Sequence, residues 1–87
     1  MAKYSVTLKK SVVKDLRTIP NQDVQRILEK IDLISEDPRG DGCTKLSARE
    51  LYRVRQGLYR IVYEIRDETL IINVIKICHR SKVYKGN

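Results

Sequence analysis

The chain has 87 residues, 41% of them hydrophobic, and carries a formal net charge of +7. This length favours one domain over residues 1–87. It contains no apolar run of about 18 residues, which excludes a transmembrane helix. Met1 to Tyr4 lack the apolar stretch of a signal peptide, so we expect a cytoplasmic protein.

The basic excess lies in the second half of the chain. Residues 1–42 contain eight Lys/Arg and seven Asp/Glu, whereas residues 43–87 contain ten Lys/Arg and four Asp/Glu. Such an asymmetry indicates a polyanionic partner, either nucleic acid or an acidic protein segment. The alternative is a basic surface that serves only solubility.

The cysteine and histidine content argues against a metal site. Cys43 and Cys78 are the only cysteines, they lack CxxC spacing, and His79 is the only histidine. Disulfides are rare in cytosolic proteins. We therefore expect two reduced thiols and no metal ion or other cofactor.

The first half of the chain predicts a strand and two helices. Side chains alternate between polar and apolar over residues 3–8, as in a half-buried strand. Residues 10–18 have an apolar stripe at helical spacing and precede Pro20, which ends the helix.

A second helix is predicted from Asn21, as the N-cap, to about Glu36, with Asp23 near its positive end. Its apolar face consists of Val24, Ile27, Leu28, Ile31 and Ile34. Turn-forming residues fill 37–42. Two helices so close in sequence predict a helical hairpin packed on a sheet.

The second half predicts three strands, at 51–56, 58–65 and 69–78. The last is nearly continuous in apolar residues, which is typical of a central strand covered on both faces. The predicted class is α+β with the order β-α-α-β-β-β.

Arg53, Arg55 and Arg60 interrupt the first two of these strands. Strand side chains alternate, and an even-numbered loop around residues 56–57 predicts that Arg53 lies opposite Arg60, with all three arginines on one face. The other face then holds Tyr52, Val54, Tyr59, Ile61 and Tyr63. Opposed like charges destabilise a sheet, so this cluster indicates an anionic ligand, with an ordinary solvated face as the alternative.

The sequence resembles the RelE/ParE superfamily of toxins from toxin–antitoxin pairs. The resemblance covers nearly the whole chain and depends on the element order and on two segments: "KL" followed by "LYRVRQGLYRIVYEI" between Lys45 and Ile65, and "HRSKVY" over residues 79–84. It implies the RelE-like microbial ribonuclease fold, with the helical hairpin on one face of an antiparallel sheet. The arginine and tyrosine near the end of the chain are similar to the RelE branch.

The resemblance also implies an activity and a set of partners. RelE-type toxins are ribosome-dependent endoribonucleases that cut mRNA in the ribosomal A site and are held inactive by a cognate RelB-like antitoxin. The catalytic positions carried over are Arg53, Arg55, Arg60, Arg80 and Tyr84. The expected RNA-binding positions are Lys45, His79 and Lys82. The family often has lysine where this chain has Arg53 and Arg55.

Metal-independent RNA cleavage proceeds by attack of a 2′-hydroxyl on the adjacent phosphate. Arginine side chains can stabilise the developing negative charge, but they stay protonated and are poor bases. The general acid and base are therefore expected to be Tyr84, His79 or groups of the ribosome.

Two other functions are compatible with the sequence. A ParE-like toxin, which inhibits DNA gyrase, shares the fold but tends to lack the full basic-plus-tyrosine set. A basic module that binds RNA or an acidic protein without catalysis would show a graded, salt-dependent response to mutation.

Overall fold

A computed structural model describes residues 3–46 and 50–79. Its element order confirms the predicted β-α-α-β-β-β succession and adds one two-residue strand after the helices. The elements are β1 Ser5–Leu8, α1 Lys10–Arg17, α2 Asn21–Glu36, β2 Thr44–Lys45, β3 Leu51–Gln56, β4 Tyr59–Arg66 and β5 Ile71–His79. None of the helices in the described part is long and apolar enough to cross a membrane.

The two helices begin and end close to the predicted positions. The N-cap of α2 is Pro20 and not Asn21, so the predicted cap is wrong by one residue. Pro20 has φ −56° and its carbonyl accepts hydrogen bonds from the backbone N–H groups of Asp23 and Val24. Proline's fixed φ suits the entry to a helix, and no side chain caps this end.

The five strands form one sheet in the order β1-β5-β4-β3-β2. Strands β2 to β5 pair antiparallel, as predicted, whereas β1 pairs parallel to β5, with Ser5 opposite Ile71. Side-chain alternation is the same whichever way a strand runs, so the sequence pattern held no signal for this parallel pair.

The β3–β4 hairpin has a different register from the predicted one. Gln56 pairs with Tyr59, so the loop is Gly57-Leu58 and Arg55, not Arg53, lies opposite Arg60. Gly57 has φ +61°, which fits the first central position of a type II′ turn, where glycine is preferred. The shift is two residues, so each side chain stays on its predicted face.

The core lies between the helices and one face of the sheet. Of the residues predicted for the apolar face, Tyr52, Val54, Ile61 and Tyr63 are buried and Tyr59 packs against them. The predicted α+β class with both helices on one side is confirmed. The buried apolar residues are Val12, Ile27, Ile31, Ile34, Tyr52, Val54, Ile61, Tyr63, Ile65, Ile72, Val74 and Ile77.

Strand β5 is interior to the sheet but is not fully covered on both faces, in contrast to the prediction. Ile72, Val74 and Ile77 are buried, while Ile71 and Ile75 are only half-buried. The reason is that the helices pack on one face alone. An irregularity in the β4–β5 pairing at Val62/Tyr63 accommodates the change of spacing between Val74 and Ile77.

Candidate nucleic-acid interface

Three arginines of β3 and β4 share the sheet face that is turned away from the helices. Arg53 lies opposite Val62, and Arg55 lies opposite Arg60. Their neighbours in sequence, including Val54 and Ile61, are buried in the core on the other side. Since directly opposed residues project to the same face, the predicted clustering of the three arginines on one face is confirmed.

Arg60 is the most enclosed of the three. Only 7% of its surface is exposed, whereas Arg55 is exposed and Arg53 is intermediate. On its other side Arg60 lies opposite Cys78 of β5. Like charges that lie directly opposite each other in a sheet, as Arg55 and Arg60 do, are unfavourable for stability. The arrangement is therefore better suited to holding an anion than to stabilising the sheet.

Arg53 and Arg55 form no ion pair with any residue in 3–46 or 50–79, unlike several other cations of the chain. The paired cations are Lys3 with Asp32, Arg39 with Glu50 and Asp67, Lys45 with Glu50, and Arg66 with Glu64. Arg53 and Arg55 thus keep their charge available for a ligand.

The structure does not bring all predicted RNA-binding residues together. Lys45 lies opposite Tyr52 on the helix-bearing side, and its Nζ is 3.1 Å from Glu50 Oε2. His79 lies opposite Tyr59, and the two rings meet edge to face with centroids 5.4 Å apart. Both side chains therefore project from the face opposite to the arginines. Arg80, Lys82 and Tyr84 lie outside the described residues.

A network around Arg39, at the other end of the sheet, was missed by the sequence reasoning. Arg39 donates to both carboxylate oxygens of Asp67, at 2.8 and 3.2 Å, and also to Glu50. Its guanidinium carbon is 5.6 Å from the ring centroid of Tyr52, and Tyr4 donates to Asp67 at 2.6 Å. No local pattern predicts such contacts, because the partners are far apart in sequence.

The charges of this network shift the pKa values of its acids. Hydrogen bonds from Arg39, then from Tyr4, hold the pKa of Asp67 below its ordinary value. Hydrogen bonds from Arg39, then from Lys45, do the same for the pKa of Glu50. Arg39 is thus a structural arginine that connects the segment after α2 with two turns of the sheet.

Cys43 and Cys78 are both free thiols in the structure. The hydroxyl of Tyr63 donates to the carbonyl of Pro38 at 2.7 Å, and the Sγ of Cys43 lies 2.9 Å from the same oxygen. Burial raises the pKa of Tyr63, so this hydroxyl stays protonated and can donate. Within 3–46 and 50–79, no group of three or more His, Cys, Asp or Glu is arranged to hold a metal ion.

The chain matches a family of known toxins over most of its length. The sequence model of the family described as the ParE toxin of the type II toxin–antitoxin system parDE matches residues 6–84. The chain is 31% identical over 88 residues to the protein RelE1 of Methanocaldococcus jannaschii, with 97% of this chain and 98% of that one covered. It is 28% identical over 86 residues to toxin RelG of Mycobacterium tuberculosis, covering 94% and 97%.

A solved structure shares the fold. The archaeal RelE-RelB complex from Pyrococcus horikoshii OT3 contains a chain that superposes with a TM-score of 0.79 at 28% identity, covering 93% of this chain and 99% of that one. The sequence match and the shared fold agree with each other. The chain therefore belongs to the RelE/ParE superfamily of toxins from type II toxin–antitoxin systems.

Proposed function

We propose that this toxin is a ribosome-dependent endoribonuclease that cleaves mRNA in the A site and so inhibits translation. The observation that carries the proposal is the directly opposed pair Arg55–Arg60, with Arg60 buried and Arg53 beside it on the same face. Directly opposed like charges destabilise a sheet, but guanidinium groups gathered on one face suit a phosphate that gains negative charge during the reaction.

In this mechanism the 2′-hydroxyl loses its proton and its oxygen bonds to the adjacent phosphorus, while the bond from phosphorus to the 5′-oxygen of the next nucleotide breaks and that oxygen takes up a proton. The arginines stabilise the negative charge that develops on the phosphate. Arg60 and Arg80 hold the scissile phosphate, while Arg53 and Arg55 stabilise its developing charge. Guanidinium groups match phosphate oxygens in bidentate geometry but do not accept a proton at neutral pH. The reaction needs no metal ion in this scheme.

Proton transfer requires a different group. Tyr84 is the residue that we propose for stacking on a base or for moving a proton, with the ribosome supplying alignment. The His79 ring packs against Tyr59 on the side of the sheet away from the arginines, which argues against a role in proton transfer at the phosphate that they hold. Lys45, His79 and Lys82 are proposed to contact RNA away from the scissile phosphate, since Lys45 and His79 lie on the other face of the sheet.

The proposed partners follow from the relatives. The Pyrococcus structure is a RelE-RelB complex, which supports a cognate RelB-like antitoxin as the inhibitor of this chain. Residues 1–87 would act as a single RelE-like domain in the cytoplasm, where ribosomes are found.

The deciding experiment measures cleavage of mRNA in programmed ribosome complexes. For Arg60→Ala and Tyr84→Phe we expect the rate to fall by about 100-fold or more, as when one group that stabilises a transition state is removed. Arg66→Ala is the control, because Arg66 lies at the far end of β4 and pairs with Glu64. Wild-type cleavage by both folded variants would contradict the site assignment.

A gyrase inhibitor is the second candidate, because the matching family model is that of ParE toxins. Induced expression separates the two functions. Loss of plasmid supercoiling with intact transcripts would favour gyrase inhibition, whereas cleaved transcripts with normal supercoiling would favour the nuclease. A non-catalytic RNA-binding module would produce neither and would lose affinity gradually as single arginines are replaced by lysine.

A further inference from the structure

A cavity of about 340 Å³ lies at the edge of the sheet, next to the arginine face. Its lining residues come from α2, from the turn before β2, from β2 itself and from β3. The lining residues are Lys30, Gly42, Thr44, Arg53, Val54 and Arg55. Arg53 and Arg55, two of the proposed catalytic arginines, are therefore also lining residues of this cavity.

All of the charged residues that line the cavity are cations. Lys30 comes from α2 and is half-buried, and it adds a third cation to Arg53 and Arg55. None of the three forms an ion pair or a hydrogen bond through its side chain with residues in the described ranges. Holding three such charges around one cavity is unfavourable in the absence of an anion.

The chemistry of the lining favours a phosphate over a protein segment. Guanidinium groups bind phosphate oxygens in pairs, and an ammonium group adds a compact charge. The only apolar lining residue is Val54, which is just 2% exposed and so offers little surface to a ligand. Protein partners usually bind through apolar or aromatic anchors, and none is available to them here.

We propose that Lys30, together with Arg53 and Arg55, binds an RNA phosphate next to the scissile one. This inference rests on the proposed nuclease function, since Arg55 belongs both to this cavity and to the pair with Arg60. RNA would then pass from the arginine face around the edge of β3 toward α2. Lys30 is a binding residue in this scheme and takes no part in the chemical step.

The test measures binding of a single-stranded RNA with a 2′-deoxy substitution at the cleavage position, over a series of salt concentrations. For Lys30→Gln we expect weaker binding and a slope of log K against log[salt] that is smaller by about 0.7, as for the loss of one phosphate contact. Lys30→Arg keeps the charge and should keep the slope. Lys14→Gln, on exposed α1 surface, is the matched control and should also leave it unchanged.

Failure of the RNA test and a result that points to a protein partner would each overturn the inference. One is an unchanged salt slope for Lys30→Gln, or no RNA binding by the parent chain. The other is weaker binding of an acidic peptide, such as oligoglutamate, with unchanged RNA binding, which would assign the cavity to a protein partner. In ribosome complexes the Lys30→Gln variant should raise KM and leave kcat unchanged. If the parent chain binds RNA with the expected slope but cleaves no mRNA, the nuclease proposal fails and the phosphate site stands.

Discussion

Arg39 and Arg55 are both exposed arginines, but their surroundings are opposite. Arg39 has two carboxylate partners and lies over an aromatic ring, so its charge is compensated. Arg55 faces a second arginine and has no carboxylate partner in the described residues. The first residue therefore serves the structure and the second is available to a ligand.

Replacing Arg55 should separate stability from activity. Arg55→Thr removes the like-charge pair with Arg60 and introduces a residue that favours strands, so the free energy of unfolding should rise by about 0.2–1 kcal/mol. Cleavage of mRNA in ribosome complexes should fall at the same time. Urea unfolding measures the first effect.

Arg53→Thr is the matched control for this prediction. Arg53 lies opposite Val62, so the same substitution relieves no directly opposed charge and should stabilise the protein less. An equal gain at both positions would mean that strand propensity alone explains the change. A loss of stability in Arg55→Thr would show that the arginine pair is not repulsive.

The β3–β4 hairpin is the element that determines how the arginines face each other. Alternation along each strand was sufficient to predict which residues share a face, since a shift of two residues changes no side chain's face. It was not sufficient to predict that Arg55 opposes Arg60, because this depends on the turn. The turn requires positive φ at its first central position, and this position is occupied by Gly57. Glycine adopts that conformation without strain because it has no Cβ.

Substitution of Gly57 should destabilise the hairpin. Gly57→Ala forces a side chain into the left-handed region, and the free energy of unfolding should fall by about 1–2 kcal/mol. No other atom lies within 4 Å of the added Cβ, so the loss would come from backbone conformation and not from a clash. Gly57→Asn is the control, since asparagine tolerates this conformation better and should cost less. Equal losses in a urea titration would argue against a backbone origin.

Across the whole molecule, long-range contacts were the part of the structure that the sequence predicted least. The helices, the main strands and the apolar face follow from local periodicity, and the arginine face follows from alternation. The Arg39 network and the cavity with Lys30 join residues from separate elements, and no spacing in the sequence relates them. The pairing of β1 with β5 is of the same kind.

The Arg39 network should make the stability of the protein depend on pH under acidic conditions. Asp67 and Glu50 have lowered pKa values in the folded state, so the unfolded chain binds more protons as the pH falls. The stabilisation is present above the ordinary carboxyl pKa of about 4 and is lost as the pH falls through the folded values. Arg39→Gln should therefore lower stability at neutral pH and flatten the decrease below about pH 4.

Unfolding by urea at a series of pH values measures this effect. Arg17→Gln is the control, because Arg17 forms no ion pair with the described residues. It should leave the shape of the pH profile as in the parent. A profile for Arg39→Gln that is parallel to the parent at every pH would mean that these carboxyls are not linked to folding.

The parallel pair of β1 and β5 has a consequence for biosynthesis. Ser5 lies opposite Ile71, so β1 pairs with β5, the strand of the described residues that is farthest from it in sequence. Contacts between distant parts of a chain form late, and this pair cannot form before residues 71–79 have left the exit tunnel. The five-stranded sheet is therefore complete only after β5 has been synthesised and has emerged from the ribosome, and until then β1 lacks the strand beside which it folds.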